Sequence, residues 1–301
     1  MIGNVKGYIP YLALTAGHAE GGAMDRTPKG ACMLLGALLG VSSEAICSPV
    51  VVPLRLAGHF PIVIAKVDGV DVPLAFGSGD SFPVRLEQSV LDRVKAAPLP
   101  GVTMGLDAKG HLLRSPRFRL SRLQLGDAVF NDVVAELDVH SPTYHPPRVG
   151  QEGWLGTGLL KSYEVVLDYP HRTMTLVPRA SNEAPSEQCR GTSVPFAVKE
   201  QPAEPFTKAD TDLGQLTLVW DTGSGLSLVG QKIVQQGHVN ASNEDVTTKR
   251  LVVGGTDFGP WKFKWMEMSL PPFFDGSIGY DFFETHVVCI DFPDKRVVIR
   301  P

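Results

Sequence analysis

One pattern occurs twice along this chain, and whatever fold forms must house both copies in the same way. VDGVDVPLAFGSGDS at 67–81 lies over TDLGQLTLVWDTGSG at 211–225, at an offset of 144 residues. Each copy has a turn, at Asp68-Gly69 or Asp212-Leu213-Gly214, and then an apolar run ending in Phe76 or Trp220. Such runs, rich in β-branched and aromatic residues and bounded by turns, read as buried strands. Each run then meets a glycine-containing tripeptide, and there the copies part. The second reads Asp221-Thr222-Gly223, the first Gly77-Ser78-Gly79.

A second block recurs more strongly. EGWLGTGLLKSYEVVLDYPHRTMTLVP at 152–178 lies over DGSIGYDFFETHVVCIDFPDKRVVIRP at 275–301, at an offset of 123. Gly153, Gly156, Asp168 and Pro170 fall on Gly276, Gly279, Asp291 and Pro293. The pattern predicts an acidic-Gly turn, an apolar-Gly pair, one helical turn, a strand, a turn at Asp-aromatic-Pro and a last strand. In that turn Pro sets φ and Asp can accept from the backbone ahead of it, so Asp168 and Asp291 read as turn residues. Between the blocks, 118–137 alternates as two strands around Gly126-Asp127, and 251–270 is its counterpart. The smaller second offset assigns about 21 extra residues to the first copy, many of them in the loop at 138–151. No stretch has the periodicity of a long amphipathic helix, and Gly 31 and Pro 24 suit many turns. The class is all-β. The repeat divides the chain into an upstream extension at 1–47, a first lobe at 48–180, a linker at 181–192 and a second lobe at 193–301.

The upstream extension contains ACMLLGALLGV at 31–41, after Arg26 and Lys29 and before SSEAICS. About eleven apolar residues are too few to span a bilayer, which takes about twenty. The order positive, apolar, small is that of a secretory signal peptide starting at Met24 and cleaved near Ala45–Ser48. A buried or membrane-resting helix is the other reading. Cys189 and Cys289 are open to two readings as well: a disulfide if the body is exported, or two separate thiols. With a net charge of −4 and no basic stripe, nucleic acid is not an expected partner.

Asp221-Thr222-Gly223 puts a carboxylate on a tight loop at the end of a buried strand. Its glycine lets backbone approach closely, and its threonine hydroxyl can bond a facing loop. D-T-G-S between two apolar runs, followed by an apolar-Gly pair and accompanied by a degenerate second copy, resembles the aspartic peptidases, particularly their bacterial retropepsin-like members. The resemblance covers about residues 50–301. It implies a bilobal acid-protease fold with two β-barrel-like lobes related by a pseudo-twofold axis and a central cleft. Each lobe supplies one loop, with Trp154-Leu155-Gly156 and Ser277-Ile278-Gly279 threading beneath, and 102–113 is the stretch for a hairpin flap. It implies a monomer acting on a polypeptide, with no cofactor, metal or membrane span. The family mechanism needs two carboxylates about 3 Å apart that share a proton, one activating water and the other polarising the substrate carbonyl.

Asp221 matches the second-lobe aspartate, while Gly77 stands where the first-lobe carboxylate belongs. Ser78, Gly79, Thr222 and Gly223 match the remainder of the two loops. Two functions follow: an aspartic-type endopeptidase impaired or silenced at Gly77, or a non-catalytic protein that binds extended peptides by strand addition. Alone, Asp221 is expected to keep a pKa near the reference of about 3.9. Asp80, aligned with Ser224, is expected to aim away from Asp221 as a solvated turn residue, and Asp71 lies farther off. A dimer joining two second lobes is disfavoured because the covalent first lobe occupies that face. His140 and His145 lack carboxylate or Cys partners for a metal. Ser224 lacks the G-x-S-x-G elbow and paired His of a serine hydrolase. Trp261 and Trp265 alternate with charged residues in WKFKWMEM, as in a half-buried edge strand.

Overall fold

The computed structural model describes residues 48–106, 111–140, 149–198, 203–236, 245–266 and 273–300. The apolar run at 31–41, Cys47, His145 and most of the loop at 138–151 lie outside these. Among the described residues there are three sheets. Two of them have eight strands and form the lobes of a bilobal all-β fold. The third has six and takes three strands from each half: Val50–Pro53, Thr173–Pro178 and Tyr163–Asp168, then Val287–Asp291, Arg296–Arg300 and Thr192–Pro195.

Local chemistry accounts for the hairpins. Phe60–Val67 and Val70–Phe76 pair antiparallel, with Val67 opposite Val70. The two residues between them, Asp68 and Gly69, both have positive φ, +44° and +90°. That is the conformation a two-residue hairpin requires, and glycine and aspartate tolerate it better than other residues. The Asp68 carboxylate also accepts from the Arg122 amide at 2.7 Å, tying the turn to the neighbouring strand. Leu112–Leu125 and Ala128–Leu137 form the hairpin expected around Gly126-Asp127, pairing Leu125 with Ala128. Ala97–Leu106 pairs antiparallel in turn with Leu112–Leu125, so the described ends of the stretch at 102–113 lie on paired strands. Its residues Val102, Met104 and Leu112 are exposed.

The expected order of the second block is present in both halves. Gly153–Leu155, the single turn Thr157–Leu159, Tyr163–Asp168 and Thr173–Pro178 correspond to Gly276–Ile278, Tyr280–Phe283, Val287–Asp291 and Arg296–Arg300. Tyr163–Asp168 pairs antiparallel with Val287–Asp291, Val166 lying opposite Cys289, its own counterpart at offset 123. A residue that faces its own counterpart lies on a local twofold axis. Cys189 is disulfide-bonded to Cys289 beside this axis, within an apolar cluster of Val166 and Val298. Arg179, itself buried, is ion-paired with Glu164 at 2.7 Å and with Asp291.

One expectation needs correction. Trp261–Met266 is not an edge strand, because it lies between Asp245–Thr248 and Leu228–Gly230. Both tryptophans are half-buried, as that packing requires.

Candidate active site

Two strands aim the loops at each other. Val70–Phe76 and Gly214–Trp220 each run parallel to the apolar-Gly strand of their own lobe. The Gly77 amide donates to the Leu155 carbonyl and the Asp221 amide to the Ile278 carbonyl, both at 2.9 Å. Beyond those strands Gly156 and Gly279 pass so close beneath the loops that a Cβ would collide with the Phe82 carbonyl or the Leu226 backbone. Each loop then turns back on itself. The Asp80 amide donates to the Gly77 carbonyl at 3.3 Å, and the Ser224 amide to the Asp221 carbonyl at 3.2 Å. The Thr157 and Tyr280 amides donate to the carbonyls of Asp80 and Ser224, both at 2.8 Å.

The loops interlock through their middle residues. The Ser78 amide donates to Thr222 Oγ1, and the Thr222 amide to Ser78 Oγ, both at 3.0 Å. Each hydroxyl then donates across to the other lobe: Ser78 Oγ to the Trp220 carbonyl and Thr222 Oγ1 to the Phe76 carbonyl, both at 2.7 Å. All four bonds are buried. They satisfy backbone groups that would otherwise be orphaned, at about 1–3 kcal/mol for each group left unmade.

Asp221 sits at this junction, fully buried. Its Oδ1 accepts from the Gly223 amide at 2.9 Å, while Oδ2 has no hydrogen-bond partner. Its pKa does not stay near the reference value. Burial, and next the negative charge of Asp80, hold it well above the usual carboxylate range, against the pull of the Gly223 and Gly79 amides. Tyr169 packs on Tyr280 and Phe283 near the same loop. Its phenol is pushed up by burial and by the Asp221 charge.

Asp80 is the larger correction. It is fully buried rather than a solvated turn residue. A Cβ placed on Gly77 would lie 2.8 Å from Asp80 Oδ2 and 3.6 Å from its Cγ. The Asp80 carboxylate therefore fills the space that a side chain at position 77 would enter. Asp71 is far from the site, exposed and paired with Lys66 at 2.7 Å.

Glu204, which sequence reasoning missed, brings a third carboxyl. It is fully buried, and its pKa is raised to about 8 by burial first, with the Asp80 charge adding and the Ser81 hydroxyl opposing. Thr157 Oγ1 lies within bonding distance of the Asp80 carbonyl, 2.8 Å, and of the Ala203 carbonyl, which seats the Glu204 segment against the first loop. At offset 144 Glu204 falls on Phe60, so an acid stands two residues ahead of the strand Phe206–Thr211 where an aromatic begins the strand Phe60–Val67. That mismatch is the signal that could have found it. On the opposite side His59 Nδ1 lies 2.9 Å from where a Gly225 Cβ would be, and burial lowers its pKa.

The remaining acidic candidates do other work. Asp168 Oδ1 accepts from the His171 amide at 3.0 Å and Asp291 Oδ1 from the Asp294 amide at 3.1 Å, as turn residues do. Asp291 is in addition buried and ion-paired with Arg296 at 2.8 Å, which its turn pattern did not announce. Ser224 Oγ donates to the Leu226 carbonyl at 2.7 Å, within its own loop. Among the described residues no group of three His, Cys, Asp or Glu is arranged to hold a metal ion.

No family model matches the chain, and no curated protein sequence does. Solved structures do. The aspartic proteinase from Irpex lacteus superposes with a TM-score of 0.60 over 84% of this chain and 97% of its own, at 12% sequence identity. Similarity at that identity is similarity of fold: the chain has the bilobal all-β architecture of an aspartic proteinase.

Proposed function

We propose that the protein is an aspartic-type endopeptidase that takes an extended polypeptide between its lobes and hydrolyses a peptide bond with water activated at Asp221. The observation that carries this reading is the state of Asp221. Its carboxyl is held where two interlocked loops meet, with one oxygen fixed by the Gly223 amide and the other buried without a hydrogen-bond partner. Burial and the Asp80 charge raise its pKa above that of a surface aspartate, as is common for groups at functional sites. The exposed apolar residues Val102, Met104 and Leu112 on the paired strands Ala97–Leu106 and Leu112–Leu125 support a flap that closes over a peptide. Both loops belong to one covalent chain, which supports a monomer.

The disulfide between Cys189 and Cys289, read together with the apolar run at 31–41, supports an exported protein. Among the described residues no helix is long and apolar enough to cross a membrane.

Gly77 is the observation that favours a second reading, a peptide-binding protein without hydrolysis, because the first loop has no carboxyl at that position. A peptide-library cleavage assay between pH 3 and 7 separates the two. Cleavage abolished by Asp221→Asn is the expected result. Saturable peptide binding without cleavage in the unaltered chain would replace the first reading with the second.

A further inference from the structure

The two loops share one backbone path but send residue 80 and residue 224 in different directions. In both, the fourth residue's amide turns back to the carbonyl of the first. In the second loop the fourth residue is Ser224, and its short side chain bonds the Leu226 carbonyl. In the first it is Asp80, one carbon longer, and its carboxylate folds back to within 2.8 Å of where a Gly77 Cβ would be. That route is open only because position 77 has no side chain. Any Cβ there would strike the carboxylate. Gly77 and Asp80 thus form one linked exchange: the carboxyl is absent from the first position of the loop and present, in the same space, from the fourth.

Two further observations bear on this carboxyl. Asp80 is fully buried. Its charge acts on Asp221 across the lobe boundary.

We infer that Asp80 supplies the second carboxyl of the catalytic pair, relocated three residues along its loop, and that Asp80 and Asp221 together carry the hydrolysis. The inference rests on the endopeptidase reading above. The pair holds one proton between two like charges. The ionised member takes a proton from water as the water oxygen adds to the peptide carbonyl carbon. The protonated member gives its proton to the carbonyl oxygen, leaving a tetrahedral diol. The member that gained a proton then delivers it to the amide nitrogen as the C–N bond breaks. The other recovers its proton from a diol hydroxyl as the C=O bond of the new acid forms. One water is consumed, an acid and an amine leave, and the pair regains its single proton. Glu204 faces Asp80 and Ser81 from the second half and stays protonated through neutral pH, so it adds no further negative charge. His59 borders the opposite loop, at Gly223 and Gly225.

The test compares Asp80→Asn, Asp80→Ser, Asp221→Asn, Gly77→Asp and Gly77→Asp/Asp80→Ser with the unaltered protein on cleaved library peptides. Thermal melts and binding of a peptide whose scissile bond is reduced to CH2–NH serve as controls. Loss of one member of an acid–base pair is worth roughly 10²–10⁴ in rate. Asp80→Asn and Asp221→Asn are each expected to lower kcat/KM by at least about 10²-fold while the reduced peptide still binds. The bell-shaped pH profile of the pair should collapse to a single limb in Asp80→Asn, which a structural role would not produce. The double variant returns the carboxyl to position 77 and should recover to within about tenfold. Gly77→Asp alone should gain little, because two carboxylates would then compete for the space that Asp80 fills. Should Asp80→Asn fold poorly, Asp80→Ser and the double variant carry the same comparison.

Full activity in Asp80→Asn with none in Asp221→Asn would overturn the inference and leave the endopeptidase reading standing. Activity in the double variant alone would show that Asp80 does not replace the missing carboxyl. No cleavage in any form would remove the endopeptidase reading, and the inference with it.

Discussion

Glu204 shows how far a single buried residue sets the response of this molecule to pH. Its folded-state pKa of about 8 lies above the ordinary value of 4.5, so the folded protein holds a proton that the unfolded chain releases. The stability linked to this group is therefore complete below about pH 4.5 and is lost as pH rises toward 8. The slope is about 1.4 kcal/mol per pH unit, or a few kcal/mol in all. Asp221, also raised, acts in the same direction. Melting temperature is expected to fall from pH 5 to 8, and Glu204→Gln to flatten much of that fall. An equally steep dependence in the variant would remove Glu204 from this role. At this scale the sequence was half legible. The Asp-Thr-Gly tripeptide marks Asp221 and its loop because backbone and side chain are specified together. Asp80 was misread because its direction depends on an atom that is missing, the Cβ of Gly77, and on the Thr157 amide that holds the Asp80 carbonyl. Glu204 joins the site only through tertiary packing.

Secondary elements were easier to anticipate where pattern and turn chemistry agree. Asp68-Gly69 and Gly126-Asp127 end strands whose alternation is plain, and both hairpins form. Trp261–Met266 looked like an edge because its outer partner, Asp245–Thr248, reads DVTT, four residues with one apolar side chain. So short a polar strand carries no period for a sequence to display. The Cys189–Cys289 bond could not be chosen over two thiols from spacing, since its geometry arises only once Val287–Asp291 lies beside the turn Glu187–Cys189. The bond closes a separation of 100 residues. Loop-closure entropy for so long a loop puts its contribution at about 2–5 kcal/mol. A Cys189→Ala/Cys289→Ala chain should show a matching drop in denaturant-unfolding free energy, and reductant should lower the unaltered protein to the same level. No difference between oxidised and reduced protein would show that the strand register holds the turn without it.

At the scale of the whole molecule, the six-stranded sheet decides whether either half is a domain in its own right. The repeat places boundaries at 180 and 193, yet Tyr163–Asp168 completes its hydrogen bonding on Val287–Asp291 of the other half. Ser78 likewise satisfies its amide and hydroxyl on Thr222 and Trp220. A chain of residues 48–180 alone would expose the edge of Tyr163–Asp168 with its unpaired amides and carbonyls, a template for pairing with another chain. Its buried residues Val165, Val166 and Leu167 would lose part of their cover. Because Val166 faces its own counterpart at the local twofold axis, the same edge can pair with a second copy of itself, Val166 against Val166. The isolated first half is therefore expected to be dimeric or aggregated, never a folded monomer. Light scattering gives the mass, and amide exchange across 163–168 reports whether that strand is paired. A monomer with protected amides there would mean that each half closes on its own, and that the two loops meet by docking of finished domains. A dimer with protected amides would mean instead that the site forms only when both halves fold around a common sheet. In that case the interlock of Ser78 with Thr222 is a consequence of a single folding event.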